Sequence, residues 1–337
     1  MPPDLSATPF STLTPDSILD ALESVGLKPD GRLLALNSYE NRVYQVSMEE
    51  GAPLIVKFYR AGRWPDAAIL EEPAFSAELV ERELPVVAPL RVGGQTLLFH
   101  DDLRFSVFPR RSGRAPEFDR GQVLEWMGRF IGRIHAVGAL KPFVVRPEIN
   151  VETFGDEPRD FLLDNGFLPD NGFLPADLED VYFGVVDQAL DAVEDCFERA
   201  GKVKTLRLHG DCHIGNVLWQ DGPCFVDFDD ARMGPAVQDL WMLLSGERRE
   251  QERQLSAVLS GYEEFFAFDR RELYLVEALR TLRLVHYAGW LAKRWEDPAF
   301  PAAFPWFNTQ RYWQDRILEL REQIAQMEEP PLSVFGG

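Results

Sequence analysis

The hydrophobic pattern of this 337-residue chain changes character once, near Phe108. Ahead of that point, apolar residues fall in short runs over 32–36, 43–48, 54–59, 97–100 and 103–108, parted by turn-forming clusters such as Asn37-Ser38 and Glu50-Gly51. Short strand-like runs bounded in this way predict a small antiparallel sheet. Beyond Phe108 the period lengthens, and helices are expected over 119–137, 176–200, 237–244, 248–266, 271–294 and 309–327, with one hairpin-like stretch over 206–228. The chain is longer than a single efficient core supports. It therefore divides, as a sequence, into a sheet-rich part over 1–108 and a helical part over 109–337, with the basic segment Arg110-Arg111-Ser112-Gly113 reading as a hinge.

Local signals refine this plan. Thr14 and Pro15 are an N-cap and a first helical residue, so a helix is predicted over 17–25, stopped by Gly26. A second helix fills 66–83, where Pro73 is expected to kink or restart it. The run Asp164-Asn165-Gly166-Phe167-Leu168-Pro169 recurs at once as Asp170-Asn171-Gly172-Phe173-Leu174-Pro175. One tandem copy is a loop duplication, since a solenoid needs several stacked units.

A formal net charge of −20 argues against a broad nucleic-acid surface or an anionic membrane surface, both of which need clustered Lys and Arg. It suits a cationic or neutral partner, or solubility alone. No apolar stretch is long enough to span a bilayer. Cys196, Cys212 and Cys224 are odd in number and lack metal-ligand spacing, which suits a reducing compartment. The first 14 residues have no basic-then-apolar order of a secretory signal. The expected location is the cytoplasm.

The segment His209-Gly210-Asp211-Cys212-His213-Ile214-Gly215-Asn216 is followed by the apolar Cys224-Phe225-Val226 and then Asp227-Phe228-Asp229. Phosphoryl transfer from ATP needs these parts in this order: a carboxylate to take the acceptor hydroxyl's proton, an amide oxygen on the metal, and a second carboxylate on the metals. Oxygen donors of this kind suit Mg²⁺. The set nominates Asp211 and Asp227 as catalytic residues, with Asn216 and Asp227 as metal ligands. His209 is expected to hold the loop's backbone. A zinc site from His209, Asp211, Cys212 and His213 is disfavoured, because adjacent ligands do not readily close a tetrahedron.

Lys57 interrupts the apolar run Leu54-Ile55-Val56-Lys57-Phe58-Tyr59, and a buried ammonium is costly unless paired. It is either an edge-strand lysine that discourages aggregation or, the reading favoured by the downstream motif, the lysine that contacts ATP phosphates and pairs with a glutamate. Glu71, Glu72 and Glu78 are available as partners, and Glu72 is chosen. Because it precedes Pro73, its backbone is expected to be extended, at the very start of the helix. No glycine-rich phosphate loop is present. In its place stands Asn37-Ser38-Tyr39-Glu40-Asn41-Arg42, where Ser38 is either a phosphate contact or part of a simple polar turn.

On these motifs the chain resembles the aminoglycoside phosphotransferase and choline kinase-like superfamily, which shares the protein-kinase fold. A narrower resemblance, to the bacterial stress response kinase A family of Ser/Thr protein kinases, rests on three further segments. They are residues 36–44 around Ser38, Phe108-Pro109-Arg110-Arg111, and the aromatic run from Phe304 through Trp306 and Phe307 to Tyr312 and Trp313. The resemblance implies an α+β, two-lobed protein-kinase-like fold with a small N-terminal antiparallel sheet lobe that binds ATP and a larger helical C-terminal lobe for catalysis and substrate. It implies Asp211 as base, Asn216 and Asp227 on Mg²⁺, Lys57 and Ser38 on ATP, and Asp239 as a brace for the catalytic loop. It further implies a monomer acting on a protein Ser or Thr. A small-molecule kinase of the aminoglycoside or choline type, or a catalytically silent nucleotide-binding module, are the other readings. The aromatics over 290–313 either line a substrate cleft or pack the last helices.

Overall fold

Thr14 closes the first turn of the first helix as the sequence predicts. Its hydroxyl accepts from the Ser17 amide at 3.2 Å while the Ser17 hydroxyl accepts from the Thr14 amide at 2.8 Å. The two exchanged bonds satisfy amides that a helix start leaves without partners. The computed structural model describes residues 10–117, 121–166 and 172–334. In chain order come α1 (Pro15–Ser24), β1 (Pro29–Ala35), β2 (Arg42–Met48), β3 (Leu54–Phe58), α2 (Asp66–Glu81), β4 (Leu98–His100) and β5 (Leu103–Pro109). Then follow α3 (Gly121–Gly138), α4 (Glu157–Asn165), α5 (Glu179–Ala200), β6 (Thr205–Arg207), β7 (Val217–Trp219), β8 (Pro223–Phe225) and β9 (Met233–Pro235). The last five helices are α6 (Gln238–Trp241), α7 (Arg248–Tyr262), α8 (Val276–Ala292), α9 (Ala299–Ala303) and α10 (Gln310–Glu328).

The described residues up to Glu117 join Phe143–Arg146 and His213–Ala231 in one compact unit. Its sheet has the order β1-β2-β3-β5-β4, antiparallel throughout. Ile18, Ala21 and Leu22 of α1 bury against Val46, Val56, Phe58, Phe105 and Val107 of the sheet. β7 and β8 form a separate hairpin. It is stitched to the unit by the bridge between Arg114 and Trp219 and by the Val87 amide, which donates to the Phe225 carbonyl at 3.0 Å. The hairpin is shorter than the predicted 206–228 stretch: the early strand β6 pairs with β9 instead.

Pro73 neither kinks nor restarts α2, which runs unbroken through it. A proline inside a helix lacks the amide for the carbonyl four residues back and costs about 3 kcal/mol. Burial outweighs that cost: Ile69, Phe75 and Leu79 are fully buried, and each such side chain contributes roughly 1.5–3 kcal/mol. The Phe75 ring meets Phe143 and Phe228 edge-on, with centroids 5.6 and 5.9 Å away. Glu72 consequently lies within the helix, with ordinary helical neighbours, and not in extended chain at its start.

The second unit holds the described residues of 118–142, 147–212 and 232–337. α3 and α7 cross backbone to backbone, since a Cβ added at Gly128 would lie 1.9 Å from the Val258 carbonyl oxygen. Only glycine permits this approach. The helix expected over 271–294 opens as a 3₁₀ turn, Arg270–Leu275, before α8, and the one expected over 237–244 contracts to α6. α4 was not predicted, nor the π-helical turn Glu152–Asp156 that leads into it. Residues 119–120 of the predicted third helix and Phe167 to Asn171 of the tandem segment lie outside the described residues. No described helix is long and apolar enough to cross a membrane.

Candidate active site

Within the first unit, β3 places Lys57 between Val43 of β2 and Ser106 of β5. The side chain is almost wholly buried, and its Nζ lies 3.2 Å from Glu72 Oε1, 2.9 Å from Asp227 Oδ1 and 3.7 Å from Asp229 Oδ1. Burial works against the ammonium, yet Asp227, Glu72 and Asp229 together outweigh it and hold Lys57 well above its ordinary pKa. Of the three glutamates, Glu72 is the one that reaches Lys57; burial raises its carboxyl against the pull of Lys57. Burial would raise Asp229 as well, but Arg63 and then Lys57 overcome it and keep the carboxyl below the usual range. Asp229 bonds Arg63 directly and accepts from Asn41 Nδ2 at 3.1 Å.

The β7–β8 hairpin carries the two expected metal ligands at its open end. The Val226 amide donates to the Asn216 carbonyl at 3.0 Å, which sets Asn216 beside the strand that leads into Asp227. Asp227 itself is left-handed, with φ 60° and ψ 69°, and turns the chain into the 3₁₀ segment Phe228–Asp230. Its side chain remains 54% exposed. An amide oxygen and a solvent-facing carboxylate are hard donors, so this pair fits a divalent cation such as Mg²⁺. The Ser38 hydroxyl closes its own turn, donating to the Asn41 carbonyl at 3.2 Å and accepting from the Val43 amide at 3.1 Å.

In the second unit, the loop that bears Asp211 is fastened by Asp239. One carboxylate oxygen accepts from the His209 amide at 2.8 Å, and the other from the Gly210 amide at 2.9 Å. The first of them also lies 3.0 Å from His135 Nε2, while His135 Nδ1 is 2.8 Å from the Tyr262 hydroxyl. Asp211 forms an ion pair with Arg283 of α8 at 2.8 Å. Cys212 is buried, and burial, reinforced by Asp239 and Asp211, pushes its thiol well above the ordinary range. A redox role needs an accessible thiolate, and this thiol is neither. The aromatic run mostly packs: Phe300, Phe307 and Trp313 are fully buried, and Trp313 Nε1 donates to the Phe173 carbonyl at 2.6 Å. Trp306 alone of that group is exposed.

Sequence reasoning missed the Arg63–Asp229 contact, the Arg283–Asp211 pair and His135. Asp229 was visible within the Asp227-Phe228-Asp229 run. The arginines and His135 carried no local signal, because their partners lie far away in the chain.

The sequence matches the phosphotransferase enzyme family over residues 32–276. It is 46% identical, over 98% of both chains, to the stress response kinase A of Escherichia coli strain K12. The same identity and coverage relate it to a Salmonella typhimurium LT2 protein named serine/threonine protein kinase RdoA. The fold is similar to that of the amicoumacin kinase hAmiN, solved with AMP-PNP, Ca²⁺ and Ami, with a TM-score of 0.70 and 18% identity over 95% of each chain.

Proposed function

The chain belongs to the phosphotransferase enzyme family, and from that premise we propose that it is an ATP- and Mg²⁺-dependent kinase of protein serine or threonine that serves a stress response. The observation that carries the reading is Lys57, buried and bound at once to Glu72 and Asp227. A chain has no structural need to bury an ammonium between carboxylates, because an apolar replacement of similar volume is often as stable. The arrangement makes sense as a cation kept ready for phosphate.

In this reading Lys57 receives the α- and β-phosphates, oriented by Glu72, and Ser38 and its turn approach the phosphates from the β1–β2 connection. Asn216 and Asp227 hold Mg²⁺, which when bound neutralises charge developing on the transferred group. Asp211 accepts the acceptor hydroxyl's proton, and Asp239 keeps its loop in place. The nucleotide-binding part is 1–108 and the catalytic and substrate part 109–337. Protein Ser/Thr specificity and the stress setting are supported by the names of relatives that match over 98% of their length. The three free cysteines support a cytoplasmic location. The protein is proposed to act as a monomer, without nucleic-acid or membrane partners.

Purified protein incubated with labelled ATP and Mg²⁺ tests this directly. Label is expected on Ser or Thr of a generic protein acceptor or of the enzyme itself, and Asp211→Asn should slow its appearance by roughly 10²- to 10⁴-fold. Label confined to one member of a small-molecule panel would move the assignment to a small-molecule kinase. Nucleotide binding with no transfer to any acceptor would make it a silent module.

A further inference from the structure

Arg146 is a fully buried arginine that none of the assigned roles uses. Its Nε donates to the Ala68 carbonyl in the first turn of α2 at 2.8 Å. Its Nη1 donates to the carbonyls of Asp229 and Ala231 at 2.8 and 2.9 Å and reaches that of Phe228 at 3.4 Å. Its Nη2 stands 3.6 Å from Glu72 Oε2. The rings of Trp64 and Phe143 cover the guanidinium at 5.4 and 5.9 Å. One planar group thus binds the helix that carries Glu72 and the backbone that leaves Asp227.

Glu71 seats this arginine. It is the neighbour of Glu72 and faces elsewhere, with its carboxylate accepting from the amides of Val144 at 2.6 Å, Val145 at 3.2 Å and Arg146 at 2.9 Å. α2 therefore grips residues 144–146 by their backbone, and Arg146 reaches on to residues 228–231. The target of that reach is informative. Asp227 is held in a left-handed conformation that a residue with a side chain rarely adopts, and such a conformation persists only where its surroundings fix it. The three carbonyls that Arg146 takes belong to residues in the four positions after Asp227.

We propose that Arg146, seated by Glu71, is a positioning residue that fixes the orientation of Asp227 for metal binding and couples it to the Lys57–Glu72 pair. The inference rests on the kinase reading above. It requires that loosening Arg146 weaken metal binding while leaving the acceptor side untouched. A buried arginine that merely filled space would lower stability without singling out the metal.

Arg146→Lys keeps the charge but loses the planar fork. Titration calorimetry with Mn²⁺ and AMP-PNP should show the metal–nucleotide complex weakened by about 10- to 100-fold, the range for lost support around a metal ligand. The Mg²⁺ concentration for half-maximal activity should rise in parallel, with KM for the protein acceptor unchanged. Hydrogen exchange should quicken at the amides of residues 228–231. Glu71→Gln should act in the same direction but less, and it carries the test alone if Arg146→Lys does not fold. Folded variants with unaltered metal dependence would overturn the proposal, as would a fall in metal and acceptor affinity by the same factor. If the unaltered protein binds no metal–nucleotide complex, the kinase reading fails and this inference falls with it. If the unaltered protein binds and the variants match it, only the inference fails.

Discussion

Asp239→Asn tests whether the loop carrying Asp211 is held by a charge. The carboxylate is 1% exposed and accepts two backbone amides, at 2.8 and 2.9 Å, beside His135. Asparagine has nearly the same shape but only one acceptor oxygen, so its amino group must face one of the two backbone N–H donors. One charge-assisted bond, worth about 1.5–3 kcal/mol, disappears. A buried donor is left without a partner, at a further cost of about 1–3 kcal/mol. The combined loss is therefore about 2.5–6 kcal/mol, unless the loop shifts to relieve it. A shift moves Asp211, which follows Gly210 directly, and a misplacement of about 1 Å at a reacting group lowers turnover by roughly 10²-fold. Urea unfolding followed by tryptophan fluorescence reads the first outcome and kcat the second. A variant within about 1 kcal/mol of the unaltered protein and with undiminished kcat would refute the reasoning, since both escape routes would then be closed.

Asp211→Asn should lower turnover by roughly 10²- to 10⁴-fold, the usual contribution of a positioned base, with ATP affinity by calorimetry unchanged; near-native turnover would sink the assignment. Burial pushes Glu272 up to about 7 from an ordinary 4.5, although the Val237 amide donates to it at 2.8 Å. Its folded-state pKa is raised, so its contribution to stability is full below about pH 4.5 and is lost as pH rises through about 7, a swing of about 3 kcal/mol. Glu272→Gln should remove that slope, and an equal stability difference between variant and unaltered protein at pH 5 and pH 8 would count against it. Cys212→Ser and the unaltered protein should lose activity at the same rate in dilute peroxide, because the buried thiol resists ionisation; slower inactivation of the variant would contradict this.

The sheet was legible because its signal is local. Period-two runs and turn residues lie within a few positions of one another, and the five strands appear close to where they were expected. Helix existence was legible for the same reason, as with α1, α5 and α10. The failures share a cause in tertiary contact. Pro73 has a local rule against it, and that rule is overridden by a buried helix face that only the folded chain supplies. β6 looked like one arm of a hairpin and pairs instead with β9, because adjacency in sequence says nothing of which edge a strand will meet. For the site, the residue types and their spacing nominated Lys57, Asp211, Asn216 and Asp227. They could not nominate Arg146, whose carbonyl partner at Phe228 is 82 positions away.

The local pattern also leaves a choice on which burial and ion pairing both bear. Asp227, Asp229 and Asp230 stand within four positions, and by residue type each is an equal candidate for a cation. In the folded unit they differ. Asp229 is enclosed, bound to Arg63, within reach of Lys57 and accepting from Asn41. Asp230 is taken by Arg63 at 2.6 Å. Asp227 meets Lys57 through Oδ1 alone and keeps more than half of its side chain in water. A metal ion joining Asp229 would have to displace a buried guanidinium and shed its own hydration, and both steps are costly in a low-dielectric site. Joining Asp227 displaces no guanidinium and, because that carboxylate faces water, leaves the ion more of its hydration shell, while Lys57 retains Glu72 and Asp229 as counter-charges. The ion pairs thus favour the open Asp227 carboxylate as the cation ligand proposed above, with Asp229 enclosed by Arg63 and Lys57 and Asp230 paired with Arg63.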